Sequence, residues 1–242
     1  MIAKEELKEY AKFRNYNLGQ AETDFYQNLL LFILYREYGK ELVLKGGTAL
    51  SKCYGLNRFS EDLDFTIMKE LQIEKTLKEG LNRYNLNFEI QNKEEFKVLI
   101  QGPLYSGIRQ SLCSIRLDIS TREKIQREPK KVTIKTFMPQ IPNFDLIVMD
   151  IKEIFAEKVR ALLTRTQARD LYDLYMIKEH LCDKRLIDAK LNFYGKKYAF
   201  KDMKGAINNL ENVWNKELRQ LIIDVPDFKL VKKTVVNLLR GI

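Results

Sequence analysis

The chain has 242 residues, 45% of them apolar and 31% charged, and is long enough to bury a core without a disulfide framework or a structural metal. Its formal net charge is +9, and the excess lies in residues 121–242, which hold 25 basic and 16 acidic residues. A basic half indicates either a polyanionic partner or a solvated, lysine-rich surface. The longest apolar run, residues 29–35, is far shorter than the roughly 20 residues of a membrane span, so we expect no membrane association. Three dispersed cysteines and the absence of a signal-peptide pattern favour a cytoplasmic location.

The first half of the chain alternates between helical and strand patterns. The first 40 residues are predicted to be helical. A short strand at 42–44 is interrupted by Gly46-Gly47, after which residues 48–54 favour a helix. A loop at 55–61 precedes a strand at 62–68 and a helix at 69–84. Further strands are predicted at 87–90, 96–100, 114–119, 132–136 and 146–149.

From Asp150 the pattern is almost entirely helical. Asp150 with Glu153 three residues later is typical of a helix start of the capping-box type. A break is predicted at 164–167, where Thr166 is suited to cap a helix that begins near Arg169, and the last helix is predicted at 228–239. The sequence therefore predicts an α/β half with a mixed sheet, residues 1–149, and a helical half, residues 150–242.

The segment 44–65, LKGGTALSKCYGLNRFSEDLDF, joins a strand, a glycine turn, a helix and a second strand. Asp62 and Asp64 stand two residues apart on the predicted strand, so their carboxylates point to the same face and suit Mg²⁺, which prefers oxygen ligands. The glycines let the backbone approach a triphosphate, and the amides near Thr48 supply donors at a helix start. Metal ions held in this way stabilise the attacking and leaving oxygens of a phosphoryl displacement.

Two residues of the intervening loop have alternative interpretations. Arg58 is expected either to contact a phosphate or to be exposed to solvent. Ser60 is expected either to contact a metal-bound phosphate or to support the turn. His180, the one histidine, is expected at a helix end or on the surface.

Residues 45–65 resemble the first motif of the AbiEii/AbiGii-type nucleotidyltransferases, toxins of type IV toxin–antitoxin and phage-defence systems. The segments 115–119 (IRLDI), 153–158 (EIFAEK) and 169–174 (RDLYDL) follow in the order of that family. The resemblance implies an α/β (α+β) fold, with a polymerase-β-like nucleotidyltransferase mixed sheet, flanking helices and a C-terminal helical domain.

The resemblance also implies residue roles. Asp62 and Asp64 would be the principal metal ligands. Asp118 would be the third carboxylate, which binds a second metal or takes the proton of the attacking hydroxyl. The alternative for Asp118 is an ion pair with Arg116 or Arg122.

Lys158 lies in an apolar helical stretch and is expected either to neutralise triphosphate charge or to be solvated. Of Asp170 and Asp173, one is expected to orient Lys158 or Arg169 or to act as a base, and the other to cap a helix or pair with Lys178. The expected catalytic residues are thus Asp62, Asp64, Asp118, Lys158 and Asp170. The expected nucleotide-binding residues are Lys45, Gly46, Gly47, Thr48, Arg58, Ser60, Arg169 and Asp173.

The function favoured by these patterns is transfer of a nucleoside monophosphate from an NTP to an RNA, with the tRNA 3′ end as acceptor. Mg²⁺, or Mn²⁺ in its place, is the expected cofactor, and an antitoxin protein the expected partner. One alternative keeps the chemistry and changes the acceptor to a protein or a small molecule. The other is a non-catalytic RNA-binding or protein-binding relative, against which the clustering of like charges argues.

Overall fold

The computed structural model describes residues 2–121 and 124–242, which divide into two compact units. The first unit comprises Met1–Ala49, Phe59–Arg122 and Pro129–Val148. The second comprises Leu50–Arg58, Glu123–Glu128 and Met149–Ile242. Two short segments of the predicted α/β part, residues 1–149, therefore belong to the helical unit.

Residues 1–149 contain four helices and seven strands within the described part of the chain. The helices are α1 (Lys4–Arg14), α2 (Leu18–Tyr38), α3 (Gly46–Cys53) and α4 (Ile73–Arg83), with 3₁₀ turns at Gly39–Glu41 and Arg109–Ser111. The strands are β1 (Leu42–Lys45), β2 (Leu63–Ile67), β3 (Phe88–Asn92), β4 (Phe96–Ile100), β5 (Cys113–Ser120), β6 (Lys130–Ile134) and β7 (Phe144–Val148).

These strands form one mixed sheet in the order β3-β4-β5-β2-β1-β7-β6. The pairs β2/β5 and β1/β7 are parallel, and the other neighbours are antiparallel. A mixed sheet is what the sequence predicts, and β4 has the predicted bounds.

One face of the sheet is covered by α2. The helix contacts β5 and β7, and its residues Leu30, Leu31 and Leu34 are fully buried. Along β5 the side chains alternate, with Ile115 and Leu117 buried and Arg116 and Asp118 on the opposite, more open face. Period-two alternation therefore separates the core residues from the polar residues of this strand.

The second unit is helical. Its helices are α5 (Ile151–Thr164), α6 (Ala168–Met176), α7 (Lys184–Asn192), α8 (Phe200–Asn208), α9 (Trp214–Leu218) and α10 (Phe228–Arg240), with a 3₁₀ turn at Lys178–His180. Trp214 lies in the core, and its indole nitrogen donates to the carbonyl of Pro226 at 2.8 Å. The apolar side of α10 packs on α6 and α8, because Val231, Val235 and Leu239 recur at helical spacing.

The helix starts of this unit confirm one prediction in part and correct another. Asp150 caps α5, accepting a hydrogen bond from the amide of Lys152 at 3.0 Å, but Glu153 does not complete a capping box. The predicted cap at Thr166 is wrong. Thr166 has a φ of +49°, its hydroxyl donates back to the carbonyl of Leu162, and α6 begins after Gln167. The hydroxyl therefore binds a carbonyl at the C-terminal end of α5 and does not cap the start of α6.

None of the helices in the described ranges combines the length and the apolar character that crossing a bilayer requires.

Candidate active site

The first unit brings three predicted site residues into one row across the sheet. Strand β2 lies between β1 and β5, and Asp64 is in register with Lys45 on one side and with Asp118 on the other. Residues in register on neighbouring strands project to the same face. A lysine and two carboxylates thus stand side by side on the face opposite α2.

Gly46 makes room for the middle member of this row. A Cβ atom at residue 46 would lie 2.1 Å from the Oδ2 atom of Asp64 and 2.8 Å from its Cγ atom. The φ of Gly46 is +69°, a conformation that L side chains rarely adopt. The sequence predicts that this glycine admits a triphosphate, and the structure adds that it admits the carboxylate of Asp64.

Asp62 immediately precedes β2, which begins one residue later than predicted, and its backbone is held from two directions. Thr48, which is buried, donates its hydroxyl to the backbone carbonyl of Asp62. Gln27 on α2 donates its side-chain amide to the carbonyls of Ser60 and Glu61, at 2.8 and 2.9 Å. These bonds fix the backbone of residues 60–62. Sequence reasoning missed Gln27, since no local pattern relates a residue of α2 to this loop.

The carboxylate of Asp62 is paired with Arg116 of β5. The two distances are 3.1 Å from Nε to Oδ1 and 2.5 Å from Nη2 to Oδ2. Arg116 also lies 3.5 Å from Glu95, and the hydrogen bond to Asp62 raises the pKa of the guanidinium. The sequence left open a pair between Asp118 and either Arg116 or Arg122. Arg116 pairs with Asp62 and Glu95, and Arg122 lies outside the described residues.

The donor set of this face suits a hard divalent cation in its chemistry, since Asp62, Asp64 and Asp118 offer carboxylate oxygens. Within residues 2–121 and 124–242, however, no group of three or more His, Cys, Asp or Glu side chains is close enough together to hold a metal ion. Arg116 occupies both oxygens of Asp62. A metal ion bound through Asp62 would therefore compete with this guanidinium for the carboxylate.

The second unit contains a buried charge cluster, formed by Arg58, Lys158, Arg165, Asp170 and Asp173. Arg58 donates to both oxygens of Asp173, at 2.6 and 2.7 Å. Lys158 lies 2.9 Å from Asp170 and 2.6 Å from Asp173. Arg165 donates to both oxygens of Asp170, at 2.9 and 2.8 Å. Two carboxylates are thus shared by three cations.

The electrostatics keep both carboxylates of this cluster ionised. Burial by itself raises the pKa of Asp170, but Lys158 and Arg165 outweigh it and hold the pKa below its ordinary value. Burial likewise raises the pKa of Asp173. The charges of Arg58 and Lys158 have the larger effect, so the pKa of Asp173 is also below its ordinary value. A carboxylate with a lowered pKa accepts a proton poorly, so this geometry favours orientation of Lys158 over general-base chemistry for Asp170.

This cluster differs in its surroundings from what the sequence suggests. The side chain of Lys158 is 6% exposed and its ammonium group contacts two carboxylates, so it is not solvated. Arg58 is buried rather than exposed, and Arg165, whose side chain is 44% exposed, is the most accessible cation of the cluster.

The remaining alternatives for the RDLYDL segment are also resolved. Neither Asp170 nor Asp173 caps α6, which is preceded by Gln167, and neither pairs with Lys178, whose ammonium group lies over the ring of Tyr175. Arg169 donates to the side chain of Gln167 at 3.0 Å and forms none of the ion pairs described for the cluster.

A second buried network lies on another part of α5 and was not predicted. The carboxylate of Glu153 accepts the backbone amides of Gln126 and Arg127, at distances of 2.8 to 3.0 Å. Lys190 of α7 lies 2.7 Å from Glu153 and 3.1 Å from Glu157. The i, i+4 spacing of two glutamates within an apolar helix was the available signal.

The mixed sheet, the glycine turn against Asp64 and the carboxylate of Asp118 beside it define a nucleotidyltransferase fold. Solved structures share it. MenT4, a nucleotidyltransferase toxin from Mycobacterium tuberculosis H37Rv, is similar over 98% of this chain and 88% of its own, with a TM-score of 0.68 and 19% identity. A Helicobacter pylori protein with a provisional nucleotidyltransferase assignment matches over 90% and 93%, with a TM-score of 0.61 and 22% identity. JHP933 from Helicobacter pylori matches over 92% and 90%, with a TM-score of 0.55 and 19% identity.

A family model described as nucleotidyl transferase AbiEii toxin, type IV TA system, matches residues 31–235. The chain therefore belongs to the AbiEii family of nucleotidyltransferase toxins, which confirms the resemblance drawn from the motifs. No curated protein sequence matches it significantly. Membership of a type IV toxin–antitoxin family implies an NTP substrate and an antitoxin partner.

Proposed function

We propose that this toxin transfers a nucleoside monophosphate from an NTP to the 3′ end of an RNA, with tRNA as the acceptor class, in the cytoplasm. The observation that carries the proposal is the row formed by Lys45, Asp64 and Asp118 beside the turn at Gly46. Two carboxylates flanked by a cation are suited to a triphosphate whose charge is shared with divalent cations.

In the proposed reaction the acceptor 3′ hydroxyl attacks the α-phosphorus of the NTP. A new O–Pα bond forms, the bond between the α-phosphorus and the bridging oxygen to the β-phosphorus breaks, and pyrophosphate leaves. Asp118, the exposed carboxylate of the row, accepts the hydroxyl proton. Lys45 lies in register with Asp64 and is placed to balance negative charge at the phosphates.

Asp62 and Asp64 are the proposed ligands of Mg²⁺ or Mn²⁺, which would supply Lewis-acid stabilisation of negative charge on the phosphate oxygens. Arg116 would compete with the ion for the carboxylate of Asp62. Glu95 lies within reach of the same guanidinium, at 3.5 Å, and provides an alternative partner for it.

Support for an RNA acceptor comes from the charge distribution. Residues 121–242 carry 25 basic and 16 acidic residues, and clustered cations are the electrostatic feature of nucleic-acid binding. Protein side chains as acceptors form the competing class, and the experiment below separates the two.

The test is incubation of the protein with total tRNA, Mg²⁺ and each α-labelled NTP in turn. We expect label to enter RNA with one or more NTPs, and Asp64→Asn to abolish it. Labelling a cell lysate and then adding RNase identifies the acceptor: label that survives RNase and is removed by protease would replace RNA with protein. Absence of transfer to any acceptor, with a folded protein, would refute the proposal.

A further inference from the structure

A segment of the second unit combines exposed aromatic rings with lysines. Residues 193–204, FYGKKYAFKDMK, hereafter the basic–aromatic segment, hold four aromatic residues and four lysines against one aspartate. All four lysines are exposed. Phe193 is 49% exposed and Tyr194 42% exposed, although aromatic rings are normally buried. This segment lies outside the motifs that define the family resemblance.

The ring of Tyr194 is held in place while it remains accessible. It meets the ring of Phe193 edge to face, with centroids 5.2 Å apart and an interplanar angle of 75°. The guanidinium of Arg160 on α5 lies 4.6 Å from the centroid of Tyr194. A fixed, half-exposed ring beside a guanidinium offers a surface on which a nucleobase can stack.

The end of the segment is fastened to the end of α10. The hydroxyl of Tyr198 donates to the carbonyl of Leu239 at 2.6 Å, and the guanidinium of Arg240 lies 5.8 Å from the ring centroid of Phe200. Helix α10 contains Lys229, Lys232, Lys233 and Arg240 and no acidic residue. Arg240 thus adds a cation beside the lysines of the segment.

The segment also touches the end of α5. The ammonium group of Lys196 donates to the carbonyl of Leu163 at 2.7 Å. Arg165, two residues further along the chain, binds Asp170 of the buried charge cluster. The lysine-rich surface and the AbiEii motif residues of the second unit are therefore linked through the last turn of α5.

We propose that the basic–aromatic segment, with Arg160 and Arg240, is a binding surface for single-stranded RNA. Tyr194 stacks on a base, and the exposed Lys197, Lys201 and Arg240 contact the sugar–phosphate backbone. A surface that only keeps the protein in solution has no use for two exposed rings, and a duplex would leave Tyr194 without an unstacked base to contact. This inference rests on the RNA acceptor of the proposed function and assigns the surface that binds it.

The test is fluorescence anisotropy with a labelled single-stranded RNA decamer, without any nucleotide, over a range of salt concentrations. Tyr194→Ala is expected to weaken binding by about tenfold and to leave the salt dependence unchanged, whereas Tyr194→Phe retains binding. Lys197→Gln/Lys201→Gln is expected to weaken binding and to reduce the slope of log K against log salt by roughly 1.4, or about 0.7 per lost phosphate contact. Because these side chains are exposed, circular dichroism melting should be unchanged.

The matched control is Lys229→Gln/Lys233→Gln, which removes the same charge from exposed positions at the other end of α10. Equal losses in the two double variants would show that overall charge, and not this surface, binds RNA, and would overturn the proposal. Equal affinity for a double-stranded RNA of the same length would also overturn it. So would an unaffected Tyr194→Ala variant, or full displacement of the RNA by an acidic polypeptide.

The assay is independent of transfer chemistry. Specific binding without transfer to RNA would leave this surface in place and refute the proposed acceptor. Transfer to RNA that is unaffected by Tyr194→Ala and Lys197→Gln/Lys201→Gln would refute the surface and leave the proposed function intact.

Discussion

The carboxylate of Asp64 occupies the space that a side chain at residue 46 would fill, since a Cβ atom there would lie 2.1 Å from Oδ2. The glycine turn and the acidic strand are therefore one steric unit, although 17 residues separate them in the sequence. Any replacement of Gly46 must displace Asp64 from the row that it forms with Lys45 and Asp118.

We therefore expect Gly46→Ala to abolish nucleotidyl transfer. Gly55→Ala is a matched control, because Gly55 has a similar φ of +71° and a Cβ atom there would meet nothing within 4 Å. Both variants should lose about 1–2 kcal/mol of unfolding free energy from backbone strain. Transfer assays and urea unfolding measure the two effects. Equal activity in the two variants would contradict the steric role of Gly46.

Arg116→Gln should strengthen Mn²⁺ binding, since it removes the cation that occupies both oxygens of Asp62. A half-exposed ion pair is worth up to about 1 kcal/mol, so the expected gain in affinity is about two- to fivefold. Isothermal titration calorimetry without nucleotide measures it. Arg109→Gln, which removes an exposed pair with Glu89, serves as the control. Unchanged or weaker Mn²⁺ binding in Arg116→Gln would argue that Asp62 is not a metal ligand.

Lys158→Met should strongly destabilise the protein, because it leaves Asp170 and Asp173 buried with one partner fewer each. Removing one member of a buried ion pair costs about 3–5 kcal/mol. Lys152→Met, an exposed position on the same helix, should change the unfolding free energy little. Adding Asp170→Asn to Lys158→Met should restore part of the loss. If Lys158→Met has the unfolding free energy of the wild type, Lys158 does not form these buried ion pairs in solution.

The lowered pKa of Asp170 and of Asp173 implies a loss of stability in acid. A carboxyl whose pKa is lower in the folded state stabilises that state fully above its unfolded pKa, about 3.9, and less as the pH falls towards its folded value. The difference in unfolding free energy between wild type and Asp170→Asn should therefore shrink below about pH 4. Urea unfolding from pH 6 to pH 3 measures it. A constant difference would contradict the lowered pKa.

Glu153→Gln should loosen the segment 124–128, since the carboxylate accepts two backbone amides there and also binds Lys190. Trypsin cleavage after Lys124 or Arg127 is expected to become about tenfold faster, because proteolysis follows the population of locally open states. Glu157→Gln is the control, because it removes the other carboxylate that binds Lys190. Equally fast cleavage of both variants would show that the loss of the ion pair with Lys190, and not the loss of the backbone hydrogen bonds, loosens the segment.

Local patterns in the sequence were enough to predict the mixed sheet and the acidic strand. Strand β4 has the predicted bounds at 96–100. Asp64 lies in β2 and Asp62 immediately precedes it, because alternation and glycine punctuation act over a few residues. The family assignment needed only the order of short motifs, and the match over residues 31–235 confirms it.

The partners of the motif residues could not be predicted, because they come from distant segments. Arg58 and Asp173 are 115 residues apart, and Gln27 and Ser60 are 33 residues apart. A lysine in an apolar helix suggests a cation that faces a ligand, yet Lys158 is matched by two aspartates of the next helix. Periodicity shows that a charge is buried and does not show what neutralises it.

Gln27 has a consequence for how this protein can be divided. Its amide is the hydrogen-bond donor to residues 60 and 61, immediately ahead of the acidic strand, and it belongs to α2. A fragment that starts at β1 would contain every residue of the glycine–aspartate motif. It would still lack the Gln27 amide that holds the backbone of residues 60 and 61. Transplanting the glycine–aspartate motif into another protein therefore requires α2 as well.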